Sequence, residues 1–108
     1  MHIPVTLAQT QLQKAGALFK TLYTHGSLSV EIYQPFQTDL QTPHDRDEVY
    51  IVVAGTGTFK KGDEYFQFGP HDFLFVPAGV EHRFIDFTED FITWVIFYGP
   101  VGGENKPV

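Results

Sequence analysis

QTPHDRDEVYIVVAG, residues 41–55, is the stretch on which the reading of this chain turns, and HDFLFVPAGVEHRF, residues 71–84, answers it. The first holds His44 and Glu48, the second His82, and imidazole with carboxylate is a donor set that divalent transition metals favour. Spacing decides how His44 and Glu48 could share an ion. A strand rises ~3.3 Å per residue, so on one straight strand the two would stand ~13 Å apart, and a single ion with donors at ~2 Å could not take both. The chain must fold back between them. Pro43 and Asp45-Arg46-Asp47 suit such a turn, because Pro presets its torsion and Asp bonds its own backbone. Strand, turn and strand then bring His44 and Glu48 together, and with His82 they read as one metal site.

Outward from this centre the pattern is that of short strands. Residues 28–33, LSVEIY, alternate, with Leu28, Val30 and Ile32 on one face and Ser29, Glu31 and Tyr33 on the other, which predicts a half-buried strand ended by Pro35. Residues 48–54 and 91–98 are apolar on both faces, so burial is expected on both sides. One side would face a barrel interior, and a second subunit is the simplest cover for the other, giving an expected homodimer. Residues 17–24, a strand ending at Phe59, residues 65–68, residues 73–76 and the run HRFIDF from His82 complete the set. They are separated by His25-Gly26-Ser27, residues 60–64 around Gly62, Gly69-Pro70, Pro77-Ala78-Gly79 and Thr88-Glu89-Asp90. Residues 5–14 read as a short strand or a single helical turn, and the tail GPVGGENKPV, residues 99–108, as an irregular segment over the barrel or a neighbour. Eight or more short strands without a convincing helix predict an all-β antiparallel sandwich or barrel.

Composition narrows the function classes. A length of 108 residues predicts one domain, 1–108, with no room for an appended helix-turn-helix. A net charge of -6 and only two arginines, Arg46 and Arg83, argue against a nucleic-acid partner. Without cysteine, any ion must be held by nitrogen and oxygen. The first residues lack the basic and apolar regions of a leader, and no later run is long enough to span a membrane, so a soluble cytoplasmic protein is expected. Eleven Phe and five Tyr suit a barrel filled by large side chains.

The two stretches resemble the paired motifs of the cupin superfamily, G(x)5HxH(x)3,4E(x)6G and G(x)5PxG(x)2H(x)3N. His44 matches the second histidine of the first motif, Glu48 its glutamate and Gly55 its closing glycine; Pro77, Gly79 and His82 match the second motif. Thr42 stands in place of the first histidine, His71 in place of the opening glycine and Asp86 in place of the asparagine. His71 would need a left-handed turn conformation, which His accepts more readily than most residues. The resemblance covers residues 28 to 98. It implies a double-stranded β-helix, or jelly-roll barrel, and one divalent transition metal ion, Fe, Ni, Mn or Zn, on His44, Glu48 and His82.

With Thr42 at the first ligand position, Gln41 or water is left to replace the missing histidine, water being favoured because an amide oxygen is a weak ligand. Glu48 is the candidate catalytic base if it is loosely bound. Thr42 is a candidate for the pocket lining; Tyr50 and Phe84 read first as core and, by sharing sheet parity with Glu48 and His82 respectively, also as candidate lining, and Tyr50 and Asp86 are candidate proton carriers. Asp47 has the wrong parity and reads as a solvated turn residue; His2, His25 and His71 read as terminal or turn residues, and Trp94 as core. Two-histidine, one-carboxylate sites leave positions open for dioxygen chemistry on iron or Lewis-acid chemistry on the other metals. The expected function is therefore an oxygenase- or isomerase-type enzyme acting on a small molecule. The alternative is a small-ligand-binding or structural dimer with no catalysis, since fold does not decide between them.

Overall fold

The computed structural model describes residues 1–104; the last four residues of the predicted irregular tail lie outside the described residues. Turn chemistry sets where the strands begin and end. Gly26, at φ 57°, reverses β1 (Phe19–His25) into β2 (Leu28–Tyr33), and Gly62, at φ 55°, reverses β4 (Gly57–Lys61) into β5 (Glu64–Phe68). Glycine, having no Cβ, adopts such torsions most readily. The remaining strands are β3 (Asp47–Ala54), β6 (Phe73–Val76), β7 (His82–Ile85) and β8 (Ile92–Tyr98). His71 does take the left-handed conformation, at φ 74°.

All pairings are antiparallel and build two sheets, β1-β2-β8-β3-β6 and β5-β4-β7. Register places Ser29, Phe97, Glu48 and Val76 in one cross-strand row and Glu31, Val95, Tyr50 and Leu74 in the next. Between the sheets lies the main core, in which Tyr50, Phe59, Phe68, Phe84 and Phe91 pack with Val52, Val76 and Val95. Ring centroids such as Phe84 to Phe91 at 4.6 Å and Phe59 to Phe84 at 4.8 Å are those of tilted aromatic pairs. Gly55, at φ 92°, lies against the Phe91 backbone with no space for a Cβ. The fold is the mostly β jelly-roll expected.

Three local expectations are corrected. Residues 5–14 belong to an α-helix, α1 (Val5–Ala15), closed by Gly16 in the left-handed conformation. Its Ala8 and Leu12 pack on Ile32 and Ile92 in a second core, with Val53, Ala54 and Trp94 against it. The chain itself therefore covers part of the outer sheet face, while Phe73 on β6 stays 63% exposed. β2 is consequently flanked on both faces: Ile32 meets the helix, and Glu31 and Tyr33 look into the barrel. Finally, β7 ends at Ile85 and Asp86 turns out at φ 51°, exposed, so it does not share a face with His82 and Phe84. Among the described residues no helix is long and apolar enough to cross a membrane.

Candidate metal centre

Glu48 comes from the large sheet and His82 from the small one, and the two side chains meet in the interior at one end of the barrel. Glu48 is the first inward residue of β3, held between Val76 of β6 and Phe97 of β8. His82 opens β7 with Phe84 inward beside it and Arg83 outward. His44 lies in an irregular segment rather than the strand anticipated, and a bend at residues 45–46 folds it back over Glu48. Its carbonyl accepts from Gly79 N at 2.7 Å, which binds the first stretch to the Pro77-Ala78-Gly79 turn of the second. One donor atom from each of His44, Glu48 and His82 lies within 4.8 Å of the others, so the three could hold a metal ion.

The electrostatics of these atoms fit an ion. Glu48 is 1% exposed and His82 2%. His82 Nδ1 faces the Val80 carbonyl at 3.0 Å, and a carbonyl can only accept, so the neutral ring carries its proton there and turns the Nε2 lone pair inward. Nε2 sits 3.1 Å from Glu48 Oε1, but the two do not meet at hydrogen-bonding angles: both Glu48 oxygens and His82 Nε2 are buried without a hydrogen-bond partner. Buried polar atoms left bare are costly and rare, and a cation between them would satisfy all three. Burial works against the His82 imidazolium, yet the Glu48 carboxylate and the Val80 carbonyl outweigh it and raise the His82 pKa above 6.5. His44 Nε2 is 4.0 Å from Glu48 Oε2, and its ring lies edge-on to Phe97 at 5.0 Å.

The other candidates distribute differently from their parity. Thr42 lines the cavity beside the site. Tyr50 and Phe84 do not: both are packed in the core, since the inward face of a filled barrel is core wherever the two sheets touch. Tyr50 still reaches the site through its hydroxyl, which donates to Gln41 Oε1 at 3.0 Å. Burial, then the Glu48 charge, holds that phenol well above its usual pKa. Asp47, expected in solvent, is 4% exposed. It lies on the other side of β3 from Glu48, where Ala78 N at 2.9 Å and Glu104 N at 2.9 Å donate to its carboxylate, so it clamps the second stretch to the first.

Two residues of the site escaped sequence reasoning. Asp39, in the loop after Pro35, is 1% exposed and accepts from Tyr33 Oη at 2.7 Å, Gln41 N at 3.0 Å, Gln41 Nε2 at 2.9 Å and Phe84 N at 2.9 Å. No local pattern announces partners up to 45 positions away. Glu31 could have been found from its alternation with Tyr33, had that face been assigned inward. Burial raises its pKa above 4.5, against a long hydrogen bond from Thr21 at 3.3 Å. Glu31, Thr42, His44 and Glu48 open on one cavity of about 600 Å³, otherwise walled largely by apolar groups such as Leu18, Val95 and Phe97. That volume is in the range of small-molecule sites.

Comparison with known proteins bears on the fold and the family. An uncharacterized protein of Streptomyces coelicolor is 43% identical over 63 residues, 58% of this chain and 60% of that protein, so the match spans less than two thirds of the relative. KdgF from a Halomonas species superposes with a TM-score of 0.65 at 18% identity, over 76% of this chain and 79% of that one. A cupin superfamily protein from Desulfitobacterium hafniense gives 0.62 at 18% identity, over 77% of each chain. A predicted oxalate decarboxylase from Thermotoga maritima gives 0.59 at 14%, over 74% and 77%. The sequence profile described as the cupin domain matches residues 29–97, well over half of the chain, and the chain belongs to the cupin family.

Proposed function

We propose that this cupin is a metal-dependent, isomerase-type enzyme that moves a proton on a small, uncharged, largely apolar substrate bearing a carbonyl group. One observation carries the reading: His44 and Glu48 of the ligand cluster and the half-buried carboxyl of Glu31 open on the same cavity of about 600 Å³. His44, Glu48 and His82 hold the ion, which when bound supplies a Lewis acid that polarises the carbonyl. The raised pKa of Glu31 brings its carboxyl nearer to neutrality, where a group that both takes and returns a proton is most effective. Leu18, Val95 and Phe97 exclude water from the apolar part of the substrate. Among the described residues no Lys or Arg lines the cavity, whereas two carboxylates do, so a dianion such as oxalate, named for one structural neighbour, is disfavoured here.

Metal analysis of untagged protein, beside His82→Ala, is the first test. Near-stoichiometric iron, nickel, manganese or zinc that disappears in the variant is expected, and no metal even after reconstitution would overturn the reading. Metal-loaded protein is then incubated in D2O with a panel of neutral hydroxyketones. Deuterium wash-in beside the carbonyl is expected, lost in Glu31→Gln with metal content retained. Stoichiometric metal with no wash-in across the panel would favour the alternative, a barrel that binds a small ligand without turning it over.

A further inference from the structure

Thr42 leaves the metal cluster one imidazole short, and we propose that Gln41 Oε1 is the fourth protein ligand of the ion. The inference rests on the metal reading above. A free glutamine would not qualify, because an amide is a weak donor that can turn away. This one cannot turn. Gln41 Nε2 donates to Asp39 Oδ2 at 2.9 Å, and an ionised carboxylate has no hydrogen to give, so the amide nitrogen must face Asp39 and the oxygen must face the cluster. Asp39 is itself pinned by Tyr33 Oη, Gln41 N and Phe84 N, which makes the amide part of a buried frame. Tyr50 Oη, 3.0 Å from Oε1, fixes it from a third direction.

Two of the three separations around the cluster are those of neighbouring ligands, and the third, His44 Nε2 to Glu48 Oε2 at 4.0 Å, would close slightly on an ion. Donors bound at ~2.0–2.2 Å to one tetrahedral or octahedral ion stand ~2.8–3.6 Å apart. Gln41 Oε1 lies 3.2 Å from His44 Nε2, and His82 Nε2 lies 3.1 Å from Glu48 Oε1. Gln41, His44 and Glu48 all border the cavity, so a substrate group there would complete the coordination. Without metal, the 3.2 Å contact is a hydrogen bond from His44 Nε2–H to the amide oxygen. An oxygen in place of an imidazole also makes the donor set harder, which favours Mn(II) and Fe(II) relative to a site richer in imidazole.

The competing account gives Gln41 a positioning role only, as acceptor for His44. A double-mutant cycle on Co(II) affinity, read by chelator competition on the full chain, separates the two. If Oε1 is a ligand, Gln41→Ala weakens Co(II) binding about tenfold or more, changes the visible d–d bands, and weakens binding again by a similar factor in a His44→Ala background. Gln41→Asn, which keeps the amide but withdraws its oxygen, gives the same losses and serves if the alanine variant is unfolded. Unchanged affinity and spectrum, or a loss that vanishes when His44 is already alanine, overturns the assignment while His82-dependent metal binding leaves the functional reading intact. Failure of the wild type to bind Co(II) at all overturns both.

Discussion

Replacing Asp39 by asparagine perturbs the frame on which the site is built, and the structure sets the size of the effect. Four donors converge on this carboxylate, two on each oxygen: Tyr33 Oη and Gln41 N on Oδ1, Gln41 Nε2 and Phe84 N on Oδ2. Asparagine must present an NH2 to one pair. Facing Oδ1's partners is the cheaper choice, since the Tyr33 hydroxyl can rotate to accept, and only the Gln41 amide is then stranded. A stranded, largely buried amide costs about 1–3 kcal/mol, and each of the other three contacts changes from charge-assisted to neutral at about 1 kcal/mol apiece. Relief of the buried charge returns part of this. The expected net loss is about 3 kcal/mol, a substantial share of the stability of a domain this size, and a fall in Tm of roughly 12–24 °C. Urea denaturation of metal-free protein measures it directly. A loss under about 1 kcal/mol would refute the claim that this carboxylate organises the loop, β2 and β7 together.

Glu31→Gln tests the burial of the cavity carboxyl. Because the folded-state pKa is raised above 4.5, the group's stabilising contribution is fully present below about pH 4.5 and is lost as pH rises through the folded value, so ionised Glu31 weakens the fold at neutral pH. The variant should melt higher than wild type at pH 7 in EDTA and level with it at pH 4; a lower Tm at pH 7 would contradict this. Gly55→Ala forces a Cβ into the Phe91 backbone at φ 92°, and a loss of about 3 kcal/mol or more is expected by urea denaturation. Glu48→Gln should raise the Tm of metal-free protein at pH 8, because an amide N–H can donate to the bare His82 Nε2, and should abolish the Tm rise that added metal gives wild type. A metal-free variant that melts below wild type would count against the bare, metal-ready site.

Much of the fold was legible because Gly and Pro punctuate β-structure so plainly: Pro35, Gly62, Gly69-Pro70 and Pro77-Ala78-Gly79 all stand where strands end or turn. The meeting of His44 with Glu48 was legible from reach once the two were read as donors to one ion. What failed was information that period-two alternation does not carry. Alternation showed that Glu31 and Tyr33 share a face, but not that a helix would cover the opposite one. That helix had the spacing of Val5, Ala8, Leu12 and Ala15 to announce it, yet it lacks a side-chain cap at Pro4 and includes β-branched Val5, Thr6 and Thr10, so the local signal was weak. Asp47 was misplaced for a related reason. Parity gives its side of the strand, whereas its burial comes from the 77–79 turn and residue 104 closing over that side.

A buried carboxylate and imidazole 3.1 Å apart attract one another, and the surrounding backbone sets where they face. The backbone of Glu48 is fixed, because β3 is paired on both sides, by β6 at Val76 and by β8 at Phe97. His82 cannot rotate to meet it without giving up Val80, which fixes both ring orientation and tautomer. Among the described residues no strand pairing joins the two sheets; the aromatic core packs between them, Asp39 ties its loop to Phe84 of the small sheet, and the bonds from Ala78 to Asp47 and from Gly79 to His44 hold the turn before β7 against the first stretch. The facing atoms are thus held by backbone and frame as well as by each other. A site held open in this way leaves the ion little reorganisation to impose, which is the condition under which a weak donor such as an amide oxygen can serve as a ligand.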